Sequence, residues 1–141
     1  MDEAGTDNEI RELVGLYASR VLAVRHRQVS LRGRKCHATI MRTLLGYEVK
    51  AGRKRIGCPD LITARYLRVF AEIGLATVRV PYDPTKTRGM INVLEARLEQ
   101  IRKTASQAPD SCRKAYRKLR RQLLRAEQEE LRGTLVSRGS P

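Results

Sequence analysis

Ala64-Arg65-Tyr66-Leu67-Arg68-Val69-Phe70-Ala71-Glu72-Ile73-Gly74-Leu75-Ala76-Thr77-Val78-Arg79-Val80 holds a helix, its stop and a strand in one unbroken run. Leu67, Phe70 and Ile73 recur at helical spacing and can be buried together. Gly74 supplies the left-handed residue that ends a helix, and Leu75 the apolar contact that accompanies it. The β-branched residues that follow predict a strand over Ala76–Val80, closed by Pro81. Working back, Pro59 suits the first helical position, where a missing N–H costs nothing.

On either side the pattern extends. Thr6-Asp7-Asn8-Glu9 has the form of a capping box and predicts a helix over about Asp7–Ala23, with the stripe Ile10, Val14, Tyr17, Val21 and Val24. Between Arg25 and Arg55 stand ten Lys or Arg and one acid, Glu48. Val29 and Leu31 read as a short strand and Gly33 as a break. Ile40, Met41, Leu44 and Leu45 read as the buried side of a helix over Lys35–Tyr47. Lys50 to Gly57 reads as a basic loop carrying Arg53, Lys54 and Arg55. After the strand, Tyr82 to Gly89 reads as a polar tip. Leu94, Leu98 and Ile101 mark a helix over about Met90–Thr104, and Pro109 breaks the chain within Ser106–Asp110. Tyr116, Leu119 and Leu123 mark a last helix over about Asp110–Arg132. Each of these two helices carries a narrow apolar seam of the kind that pairs with another helix.

Helix, short strand, helix, helix, strand, polar tip and helix is the order of a winged helix-turn-helix domain. Over residues 62–80 the sequence resembles the recognition helix and first wing strand of prokaryotic winged helix-turn-helix regulators. The resemblance implies a mainly α fold: a winged helix-turn-helix-like domain over residues 1–89, a C-terminal helical hairpin or dimerisation extension over 90–132, and a frayed tail over 133–141. It further implies a helix laid in the DNA major groove. Thr63, Arg65, Tyr66 and Arg68 would then face bases, and Arg79, Lys86 and Arg88 would stand beside them on the wing. The loop Arg53-Lys54-Arg55 would contact phosphates. The long link from Glu48 to Cys58 and the lack of a clear return strand depart from that family's pattern.

Composition points the same way by an independent route. In 141 residues, 29 Lys plus Arg stand against 15 Asp plus Glu, a net charge of +14. That excess calls for a polyanionic partner. No apolar run approaches the roughly 20 residues of a membrane span, and Met1 to Asn8 is polar and acidic, so the expectation is a cytoplasmic protein, nucleoid-associated if it binds DNA. Cys36, Cys58 and Cys112 form no framework or zinc spacing, and His26 and His37 lie in basic surroundings. No phosphate-binding Gly-rich loop or acidic metal cluster is visible. The sequence thus predicts neither an enzyme nor a metal or cofactor site. It predicts a DNA-binding protein, a transcriptional regulator or chromatin-like protein, with a possible homodimer through the C-terminal helices. The alternatives are an RNA-binding structural protein such as a ribosome-associated component, and a protein-interaction module.

Overall fold

The computed structural model describes residues 3–31, 38–105 and 111–139. Helix α1 (Glu3–Leu16) continues as a π-helical segment over Tyr17–Leu22 and leads to strand β1 (His26–Ser30). Three strands follow, β2 (Ala38–Thr43), β3 (Gly46–Ala51) and β4 (Lys54–Cys58), then α2 (Leu61–Ile73), β5 (Thr77–Pro81), the short α3 (Pro84–Arg88), α4 (Ile91–Ala105) and α5 (Ser111–Gly139). The strands form two antiparallel sheets, β1-β5 and the meander β2-β3-β4.

This overturns the expected mainly α, winged helix-turn-helix fold: the chain mixes helices with two small antiparallel sheets. The helix expected over Lys35–Tyr47 is, in its described part, a β-hairpin. Ile40 pairs with Val49 and Val49 with Ile56, all on the face turned to α2. Leu44 and Leu45, expected to be buried, form the turn and are fully exposed at 104% and 96%. The basic loop is likewise the β3–β4 hairpin, with Gly52 at φ +62° in its two-residue turn. Among the described residues only strands lie between the N-terminal helix and α2, which leaves no helix-turn-helix pair, and the residues after β5 form α3 instead of a wing tip. The expected features of Gly33, Lys35, Cys36, His37 and Ser106–Asp110 lie outside the described residues.

α2 sits at the centre. Eight of its thirteen residues are buried, Thr63, Ala64, Tyr66, Leu67, Val69, Phe70, Ala71 and Ile73, while Leu61, Arg65, Arg68 and Glu72 share one narrow open face. A wide apolar face of this kind belongs against a core, with the charged stripe turned outward. Asp60 caps it, its carboxylate accepting from the Thr63 N–H at 2.7 Å, so Pro59 stands before the cap and not at the first helical position. Gly74 ends it as the sequence predicts, at φ +91°, with its own N–H and that of Leu75 donating to the Phe70 carbonyl.

The core is one cluster joining α1, α2, α4, α5 and both sheets. Leu94, Leu98 and Ile101 of α4 and Leu119 and Leu123 of α5 are buried in it, so the seams expected to dimerise close inside the chain. Thr6 and Glu9 do not cap α1, which starts earlier. Thr6 instead donates to the Thr104 hydroxyl at 2.9 Å, and Glu9 pairs with Arg97 at 2.9 Å, tying α1 to α4.

Tyr17, Tyr66 and Phe70 stack as tilted rings, with centroids 5.4 and 4.9 Å apart. The two tyrosine hydroxyls close the edge of β5 at Arg79. Tyr66 donates to the Arg79 carbonyl at 2.6 Å, the Arg79 N–H donates to the Tyr17 oxygen at 2.9 Å, and Tyr17 donates to Glu127. A strand edge that would otherwise offer unpaired backbone groups is thereby satisfied.

Candidate nucleic-acid interface

The 29 Lys and Arg include, among the described residues, one group held by carboxylates and another that is not. The first group is neutralised locally. Arg65 and Arg68 share Glu95, and Arg65 also donates to Asn92 at 3.0 Å. Arg97 bridges Glu9 and Glu12, Arg102 bridges Glu72 and Glu99, and Lys118 pairs with Asp7 at 2.5 Å. The Glu95 hydrogen bond holds the Arg65 guanidinium's pKa above its ordinary value. The groove lined by Arg68, Glu72, Glu95, Glu99 and Arg102 is therefore a surface of mixed sign whose charges answer one another. Arg120 turns inward to the Ile73 carbonyl at 2.7 Å, at the C-terminal end of α2.

The second group has no carboxylate within ion-pair reach among the described residues, and it forms two arrays. On α5, Arg113, Arg117, Arg121 and Arg125 are exposed at steps of four, and residues 111–126 contain no acid. They form a ladder of guanidiniums at intervals of about 6 Å. At this spacing like charges destabilise a helix. On the meander, Thr39, Lys50 and Arg55 form a cross-strand row of exposed residues on the face away from α2. Lys50 stands directly opposite Arg55. Two cations so opposed also cost stability. Arg53 is exposed in the adjoining turn, and Lys54 opens β4, half-buried. Across residues 38–58 five Lys or Arg face one acid, Glu48.

The residues expected to touch DNA are thus divided. Arg53, Lys54 and Arg55 gather at one end of the meander. Lys86 and Arg88 are exposed on α3, near Tyr82, over whose ring the Arg25 guanidinium sits at 5.2 Å. Thr63 and Tyr66 are inside the core, Arg65 and Arg68 are held by Glu95, and Arg79 uses its backbone to close β5. Lys50 was the residue sequence reasoning missed. Its signal was symmetry: Lys50 and Arg55 are equidistant from the Gly52-Arg53 turn, so a hairpin there must oppose them.

Other chemistry is sparse. Burial, then the Asp60 charge, pushes the Cys58 thiol up to about 11, although Arg27 pulls it the other way. That thiol donates to the Ile56 carbonyl and behaves as a core residue. Among the described residues no group of three or more His, Cys, Asp or Glu could hold a metal ion. No described helix is long and apolar enough to cross a membrane. No protein-family model, curated protein or solved structure matches this chain.

Proposed function

We propose that this chain binds duplex nucleic acid, and DNA in particular, as a sequence-tolerant, chromatin-like protein that contacts phosphates. One observation carries the reading: the arginine ladder of α5 lines up Arg113, Arg117, Arg121 and Arg125 with no acid in the segment. The fold keeps these charges in register at a cost to its own stability, and a row of phosphates would relieve that cost. The opposed Lys50 and Arg55 on the meander add a second array of the same kind.

Duplex is favoured over single strands because stacking platforms need exposed aromatic rows. Phe70, Tyr17 and Tyr66 are core residues here. DNA is favoured over RNA because the B-form major groove admits a helix or a two-stranded ribbon, whereas the A-form groove is deep and narrow. Base reading by α2 does not belong to this mechanism, since Thr63 and Tyr66 are buried and the arginines of its open face are held by Glu95.

Fluorescence anisotropy on two unrelated DNA duplexes and one RNA duplex of equal length tests the reading. Similar affinity on both DNAs is expected, with weaker binding to RNA. Arg117→Glu with Arg121→Glu is expected to weaken DNA binding by about tenfold or more. Tighter binding to RNA hairpins would replace this reading by the RNA-binding structural one. No loss in the charge-reversed variant would remove α5 from the interface.

A further inference from the structure

The β2–β3 hairpin ends in two adjacent leucines with nothing over them. Leu44 and Leu45 are fully exposed, and Met41, three residues before Leu44 on β2, is 45% exposed. Two-residue hairpin turns normally carry Asn, Asp or Gly, whose backbones suit the turn. Leucines there serve neither the turn nor the core. Their presentation is rigid. Gly46 follows them at φ +139°, packed so closely on the end of β4 that a Cβ would stand 2.7 Å from the Cys58 carbonyl oxygen. The tip is therefore fixed to the body of the protein by close backbone packing.

Behind the tip the hairpin is cationic. Arg42 is exposed beside it, and Lys50, Arg53 and Arg55 occupy the far end of the same meander. An apolar point on a basic ribbon matches an object with anionic edges and an apolar interior that can be opened. A base-pair stack is such an object, and apolar wedges that unstack base steps are a known way to bend a duplex. An anionic lipid surface fits less well. Lys50 lies five residues from Leu45, about 16 Å along an extended strand, so the main cations stand well back from a plane that the tip enters. A ribbon lying along a groove meets phosphates over that whole length.

We propose that Leu44 and Leu45 are a wedge that inserts between base pairs of the bound duplex and kinks it. This rests on the duplex-binding reading above and adds a deformation step to it. Pyrimidine–purine steps unstack most easily and are the expected sites of insertion.

The test uses the full chain and a duplex with 2-aminopurine beside a central TA step and a fluorophore pair at its ends. Wild type should raise 2-aminopurine emission severalfold and bring the ends closer. Leu44→Ala with Leu45→Ala should lose both signals while keeping the salt dependence of binding and the thermal midpoint, since neither side chain is packed. The chain contains no Trp, so Leu45→Trp supplies a single reporter, whose emission should be quenched by stacking on bases. If wild type binds the duplex but the double-alanine variant gives the same 2-aminopurine and end-to-end signals, the wedge is wrong and duplex binding stands. If wild type does not bind the duplex, both readings fall. Two further results would also overturn the wedge. One is a blue-shifted, unquenched Trp on phosphatidylserine vesicles with no DNA signal. The other is a dimer abolished by the alanines with no DNA signal.

Discussion

Gly52 lies in a hairpin turn and Gly46 directly follows one, both with positive φ, yet their surroundings differ. At Gly52, φ is +62° and a Cβ would meet nothing within 4 Å, so Gly52→Ala should cost only the left-handed penalty, about 1–2 kcal/mol. At Gly46 the same change adds a clash with the backbone oxygen of Cys58, which cannot turn aside, and the cost should exceed that of Gly52→Ala by about 1 kcal/mol or more. Urea denaturation of the two variants checks the order, and equal costs would show that the meander end is not fixed as described. Tyr17 offers a second residue-level test. Burial first, and its hydrogen bond to Glu127 next, hold its phenol well above the usual range, and Cys58 is pushed up to about 11 from 9.0. Both groups bind their protons more tightly folded than unfolded. Their contribution is therefore complete below about pH 9 and declines as pH rises toward 11. Tyr17→Phe should lower stability at pH 7 by about 1–3 kcal/mol, because it strips the Arg79 N–H of its acceptor. It should also shrink the alkaline decline. An unchanged decline would mean that Tyr17 is not the titrating group.

On α5 the ladder makes two predictions of opposite sign. Arg117→Ala with Arg121→Ala removes repulsion along Arg113, Arg117, Arg121 and Arg125, so the free protein should gain up to about 1 kcal/mol at low salt. The same variant should bind duplex DNA less tightly, with a salt slope flatter by about 2. Melting curves and anisotropy titrations on one preparation read both, and a variant that is destabilised when free would show that these arginines have structural partners. Elements differed in how far the sequence revealed them. α4, α5 and β5 follow the spacing of their buried residues, and the α2 stop follows from Gly74. The meander was hidden because Ile40, Met41, Leu44 and Leu45 match a helical stripe while Leu44-Leu45 carries no turn chemistry. The strand signal was there in Val49 and Ala51 and in Ile56 and Cys58, each pair two apart with exposed or half-buried residues between and beside them. The candidate interface was only half legible for a related reason. Arg65 and Arg68 look free in sequence, and only the packing of α4 beside α2 shows that Glu95 holds them.

For the molecule as a whole, Asp7, Glu9, Glu12, Glu72 and Glu95 tie helices together while α5 and the meander carry arginines with no such partner among the described residues, so the net charge of +14 is unevenly distributed. The α4 and α5 seams are filled by α1 and by each other's side chains, and the free protein should sediment as a monomer at micromolar concentration. A stable dimer without nucleic acid would require a surface other than these seams. Binding through phosphates predicts that counterions are released in proportion to the contacts made. The most direct measurement is the affinity for a duplex DNA of unselected sequence, titrated between low and physiological salt. With six or more phosphates engaged, log affinity should fall against log salt with a slope of about −5 or steeper; a slope near zero would contradict phosphate binding by these arginine surfaces.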